Sequence, residues 1–225
     1  NPSFRAKLAR ALRDAGQLEQ ALPLYRQTAV ESPRDPDAWY ELATALRDTG
    51  RLDAARSAAE QALTLDDRRS DAQNLVGLAH LAAGRLEEAA RAFARATEID
   101  PQDGTAHNNL GNALRALGRS DEAARAYQRS IAVAPRYADP WNGLGAIAVE
   151  RDRPQDALAS FEKAIALAPS SLEARLNRGI ALELLGNRVE AAAAYRDVLD
   201  RASGPEHAGE RQAATQLLSR LGSIR

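Results

Sequence analysis

The sequence predicts an all-α fold, a right-handed α-solenoid of six helix-turn-helix units with a C-terminal capping helix. Three observations carry that reading. First, the chain is self-similar at a period of 34 residues. When "AHNNLGNALRALGRSDEAARAYQRSIAVAPR" (106–136) is slid along it, Ala123 falls on Ala21, Ala55, Ala89, Ala157 and Ala191, and Gly111 falls on Gly77, Gly145 and Gly179 and on Ala43 and Ala9. A fixed period of this length marks a stacked array, in which each unit buries its faces against its neighbours. Second, apolar residues recur three and four apart over two stretches of each period, which is helical spacing. Third, Gly16, Gly50, Gly84, Gly118 and Gly186 stand between the two stretches, where a left-handed residue ends a helix without a steric penalty.

The units run 2–35, 36–69, 70–103, 104–137, 138–171 and 172–205. In the fifth, Asp152 takes the glycine's place, and Pro154 follows where a missing N–H does no harm in a first helical turn. Acidic pairs such as Glu87–Glu88 and Asp121–Glu122 open second helices, whose positive ends favour them. Pro33, Pro101, Pro135 and Pro169 close units and make the next helix begin afresh. At the eighth position Gly77, Gly111, Gly145 and Gly179 are expected to face the alanine of the twentieth, so that the paired helices approach closely. Large groups at the twenty-fourth, Phe93, Tyr127, Phe161 and Tyr195, would interdigitate around that crossing. Residues 206–225 break the phase. Ala214, Leu217, Leu218 and Leu221 form one stripe over 206–221, the pattern of an amphipathic helix that covers the last unit.

Composition narrows the function. The net charge of −1 offers no excess to attract nucleic acid or an anionic membrane. The longest apolar runs are alanine-rich helix faces broken by Arg or Glu, too short for a span, so no membrane insertion is expected. With no cysteine there are no disulfides, thiol chemistry or Cys-based metal sites. Arg outnumbers Lys 28 to 2, the habit of a GC-rich bacterial genome. An Asn start and the lack of any Met are expected of a piece of a longer chain, from a bacterial cytoplasm or periplasm.

The period and its residues resemble the tetratricopeptide repeat family. The fifth unit carries the pattern most fully, with Trp141, Leu144, Gly145, Ala157, Phe161 and Pro169. The fourth has His107 at the Trp position, and the second keeps Trp39 and Leu42 but has Asp67 in place of the proline. The phrases "NNLGNAL" and "NRGIAL" are most similar to arrays attached to O-linked N-acetylglucosamine transferases and to similar bacterial scaffolds. The resemblance implies a concave groove lined by first helices. There Asn74, Asn108 and Asn142 share the fifth position of successive units, and Asn109, Asn112 and Asn177 lie nearby. A row of amides can hold an extended peptide through its backbone, since each both donates and accepts. The early groove carries Arg10 and Arg47 and the later part Arg115. A second expectation is a charge gradient, from Lys7, Arg10, Arg13 and Arg47 to Asp139, Glu150, Glu173 and Glu183. The family's Lys, Asn and Arg clamp for acidic tails matches one position in five from either plausible start, so it is absent.

Catalytic patterns fail. Nine of 14 glycines belong to the repeat, and no Gly-Lys-Ser/Thr or Gly-x-Ser-x-Gly occurs. His80 and His107 stand where apolar or Trp side chains pack, which points to packing rather than to metal ligation. The sequence therefore predicts a non-enzymatic scaffold that binds a protein or peptide, with no cofactor, metal, nucleic acid or catalytic residue and with self-association left open. The alternative is a targeting or oligomerisation arm of a larger enzyme such as a glycosyltransferase. An RNA-binding array is disfavoured by the neutral charge balance.

Overall fold

The structure, a computed structural model, describes residues 2–223; the last two residues of the 206–225 segment lie outside them. The chain forms two compact units, Asn1–Gly118 and Arg119–Arg225. The first holds α1 (Pro2–Asp14), α2 (Leu18–Glu31), α3 (Pro36–Asp48), α4 (Leu52–Leu65), α5 (Ser70–Ala82), α6 (Leu86–Ile99) and α7 (Gly104–Ala116). The second holds α8 (Ser120–Val133), α9 (Asp139–Glu150), α10 (Pro154–Leu167), α11 (Leu172–Leu184), α12 (Arg188–Arg201), a 3₁₀ turn (Pro205–His207) and α13 (Ala208–Ser223). In each, a helix packs on the helix before it and the helix after it, and first helices also touch first helices one repeat away.

The helix starts follow the capping chemistry. Asp35 accepts from the Asp37 N–H, Asp103 from Thr105 and Ala106, and Ser171 from Ala174, so three first helices have side-chain caps. The second helices lack such caps and rely on acids in the first turn, as with Glu87 and Glu88. The turns between them share one geometry. Gly50 has φ +73°, its N–H bonds to Arg47 O at 2.8 Å, and the Arg51 N–H reaches back to Leu46 O at 2.8 Å. Asp152 takes the same path at φ 54°, with the Arg153 N–H on Ala148 O at 2.9 Å.

Packing corrects one expectation. The twentieth-position alanines are fully buried, but what lies nearest to Gly77, Gly145 and Gly179 across the crossing is an aromatic ring. A Cβ on Gly77 would lie 2.5 Å from the Phe93 ring; Gly145 meets Phe161 and Gly179 meets Tyr195 in the same way. The reason is side-chain direction. A helical residue covers the turn N-terminal to its own Cα, so a ring at position twenty-four lies over the turn that holds position twenty. The second repeat shows the converse: Ala59 replaces the aromatic, Ala43 replaces the glycine, and both are fully buried in one cluster. Tyr127 extends the scheme sideways, its ring against Gly143 of the next first helix.

At the C-terminal end Ala214 and Leu221 are buried, and Leu217 and Leu218 pack against the cluster of Leu182, Ala191, Ala194 and Val198. The α-helix begins at Ala208, because Pro205–His207 winds as a 3₁₀ turn. Arginines fasten it. Arg188 donates to Leu221 O at 2.5 Å, and Arg211 donates to Ala202 O and Gly204 O at 3.0 and 2.6 Å.

Candidate functional site

The amides predicted to line the first helices are organised, but not as one uniform row. In the first unit Asn109 on α7 donates from Nδ2 to Asn74 Oδ1 on α5 at 2.9 Å. In the second unit Asn177 on α11 donates to Asn142 Oδ1 on α9 at 3.0 Å, and Asn142 Nδ2 donates to Glu173 Oε1 at 2.9 Å. Both rungs obey one rule: the sixth-position amide donates to the fifth-position amide of the repeat before. Helical geometry brings those positions together because neighbouring first helices stand side by side. Each rung uses one N–H and one lone pair per contact. Asn109 and Asn177 therefore keep Oδ1, and Asn74 keeps Nδ2, for another partner. All four side chains are half-buried, so they are held in place and still reachable. Asn108 differs: it is 2% exposed, inside the packing rather than on the surface. Asn112 is exposed on α7, and Arg115 is half-buried one turn on.

The arginines of the first two repeats do not form a basic patch. They line an open hollow of about 680 Å³ together with Asp37, Glu41 and Asp48. Arg10 pairs with Glu41, and Arg47 with its neighbour Asp48 at 2.7 Å. Arg13 lies 3.9 Å from Asp14 and over the Tyr25 ring. The basic end of the expected gradient is thus matched locally by acids. At its other end Glu183 accepts from the Tyr195 hydroxyl at 2.9 Å and from Arg220 at 2.7 Å. Burial, then the bond to Glu183, pushes the Tyr195 phenol well above its ordinary range, which keeps it a donor.

Sequence reasoning missed Arg69. Its guanidinium grips Asp71 of the next repeat at 2.9 Å, pairs with Asp37 at the start of its own repeat, and stacks 4.7 Å from the centre of the Tyr40 ring. It also missed a clasp at the fourth position. Trp39 Nε1 donates to Pro33 O and His107 Nε2 to Pro101 O, each at 3.1 Å, and Arg175 donates to Pro169 O at 2.7 Å. Trp141 departs from this pattern, its Nε1 buried with no hydrogen-bond partner. A second inter-repeat tie runs along the turns, where Arg51 reaches Glu19 at 3.0 Å and Arg85 reaches Asp53 at 3.9 Å. Exposed pairs of this kind each contribute little, of order 0–1 kcal/mol. Among the described residues no helix is long and apolar enough to cross a membrane.

No curated relative matches the sequence. Among solved structures the fold is similar to PilW, a type IV pilus biogenesis factor, at 19% identity and TM-score 0.81 over 95% of this chain and 98% of that one. It is also similar to YrrB, described as a TPR protein with an unusual peptide-binding site, at 19% identity and TM-score 0.63, covering 85% and 96%. A third is a thermophilic TPR protein of Thermus thermophilus, at 23% identity and TM-score 0.64, covering 81% and 99%. Likenesses at these identities concern the fold alone. Two tetratricopeptide repeat models match the sequence itself, one over residues 6–68, 40–104 and 144–206 and the other over 102–170. On that coverage, and on the repeated helix pairs with their small residues against buried rings, the chain belongs to the tetratricopeptide repeat family.

Proposed function

We propose that this protein is a non-enzymatic protein-protein interaction scaffold whose first-helix amides hold an extended peptide segment through its backbone. The observation that carries the reading is the pair of rungs, Asn109–Asn74 and Asn177–Asn142, built alike in both units. Each rung fixes two amides in one orientation while leaving an acceptor free, which lowers the entropy lost on gripping a partner. YrrB, a TPR protein with a peptide-binding site, supports the class of partner.

The test begins with peptides selected against the intact chain from a random library. Asn74, Asn109, Asn142 and Asn177 are then changed together to Ala. Single hydrogen bonds contribute about 0.5–1.5 kcal/mol net, so the combined loss should be about one to three orders of magnitude in Kd. A selected peptide N-methylated at its central amides should weaken likewise, and added salt should matter little. Equal affinities for wild type and the fourfold variant, at unchanged melting temperature, would remove the backbone-reading role.

A further inference from the structure

The seventh position of the repeat is apolar in five units, at Leu8, Leu42, Val76, Leu110 and Leu144, but in the sixth it is Arg178. In the first compact unit Leu42 and Val76 are buried in the hydrophobic core. Arg178 does not fill the corresponding space. A hollow of about 510 Å³ remains, walled by Ile165 of α10 and by Ala193 and Ala194 of α12. The fourth position of the same helix is also an arginine, Arg175, one turn away on the same face. The two guanidiniums thus stand over an apolar floor, in a volume typical of small-ligand sites.

Their partners are unequal. Arg175 is anchored, with Nη1 on Asp197 at 2.6 Å and Nη2 on Pro169 O at 2.7 Å, while its Nε is buried with no hydrogen-bond partner. Asp197 is also bonded by Arg201 at 2.7 Å. Burial works against its charge, but those two arginines outweigh it and hold the carboxyl below the usual range. Among the described residues Arg178 forms one ion pair, with Glu162 at 3.5 Å from Nε, a carboxylate half-exposed to solvent, while Asp197 and Glu190 line the same hollow. Its Nη groups are therefore N–H donors without a hydrogen-bond partner among the described residues. Glu190, exposed and also lining the hollow, disfavours a dianion such as phosphate.

We propose that this hollow is a second recognition site, which takes the C-terminal residue of a peptide with its aliphatic side chain on Ile165, Ala193 and Ala194 and its free carboxylate on Arg178. Three short apolar walls suit a leucine-sized group and would leave a long acyl chain in water. Charge-assisted bonding to a guanidinium suits a monoanionic carboxylate. The site does not depend on the amide rungs, because the fourth and seventh positions leave α11 on the side away from the fifth, sixth and ninth.

The probes are acetyl-Gly-Gly-Leu as the free acid, the same peptide as its carboxamide, and hexanoate, each titrated into the ¹⁵N-labelled chain by two-dimensional NMR. The free acid should shift the amides of Ala193 and Ala194 and the side-chain Nε–H signals of Arg175 and Arg178 to saturation. The carboxamide should bind about tenfold more weakly or worse, which is the loss of one charged hydrogen bond. Arg178→Leu restores the apolar side chain of the other repeats, so it should abolish the shifts while the melting temperature holds or rises. Equal binding of acid and amide, no saturable shift, or full binding by Arg178→Leu would each overturn the proposal. A fall in melting temperature on Arg178→Leu would overturn its packing premise. Hexanoate binding as tightly as the peptide would assign the hollow to small carboxylates and overturn the peptide-terminus assignment.

Discussion

Gly145 on α9 lies flat against the ring of Phe161 on α10, so close that a methyl group in place of its hydrogen would overlap three ring carbons. Phe161 is 1% exposed and cannot swing into water. Gly145→Leu should therefore destabilise the chain by about 1–3 kcal/mol through overpacking. Gly209, with open space around it in α13, is the control. Gly209→Ala should be neutral or stabilising by up to about 1 kcal/mol. Urea unfolding of the two variants side by side distinguishes a packed glycine from a merely helical one.

Asp152 is the one non-glycine residue at positive φ among those described. A side chain in that conformation costs about 1–2 kcal/mol relative to its preferred regions, less for Asp than for most residues. Asp152→Gly should thus stabilise by about 0.5–1 kcal/mol, glycine's extra freedom when unfolded offsetting part of the gain. An unchanged or lower unfolding midpoint would mean that Asp152 makes a compensating contact.

His80 supplies a pH dependence. Its Nδ1 accepts from Arg85 Nε at 3.0 Å, so the ring is neutral. Burial, then the charges of Arg85 and Arg56, push it below its ordinary 6.5, against weaker opposing pulls from Glu88 and Glu60. Between the folded value and 6.5 the unfolded chain binds more protons than the folded one. The contribution is complete above 6.5 and declines as pH falls toward the folded value. His80→Leu, the residue type found at the same repeat position in Leu46 and Leu182, should flatten the stability profile below pH 6.5. Thermal melts stepped through that range would show an unaltered slope if another group were responsible.

Removal of residues 204–225 would strip α13 from the cluster of Ala191, Ala194 and Val198. The newly exposed apolar face should produce self-association or loss of order in α11 and α12. Light scattering and hydrogen exchange report the two outcomes; a truncated chain that stays monomeric and equally protected would make α13 an ornament rather than a cover.

The regularities that repeat at one period were legible in the chain itself: where helices turn, which alanines are buried, which rings are large. What escaped were relations between periods. Arg13 beside Asp14 is visible in sequence, but the partner of Arg10 is Glu41 on the next first helix, and only stacking brings the two together. The sequence shows the asparagines one by one, whereas the Asn177–Asn142 bond joins different positions of consecutive repeats. Period alone puts glycine, alanine and ring at one crossing, yet which small residue the ring covers depends on the tilt of its Cα–Cβ bond, and letters do not carry that.

The bond from the fourth position to the carbonyl six residues upstream bears on how such units are recognised. Trp39, His107 and Arg175 share neither size, charge nor aromaticity, but all three reach the oxygen of a proline. A proline cannot continue a helix, and its carbonyl stands where the chain reverses and backbone donors are scarce. In these three repeats the contact is the common feature and the side chain that makes it is not. A search for distant cousins that asks for an indole will overlook units that a search for any long N–H donor, six places after a terminal proline, would recover.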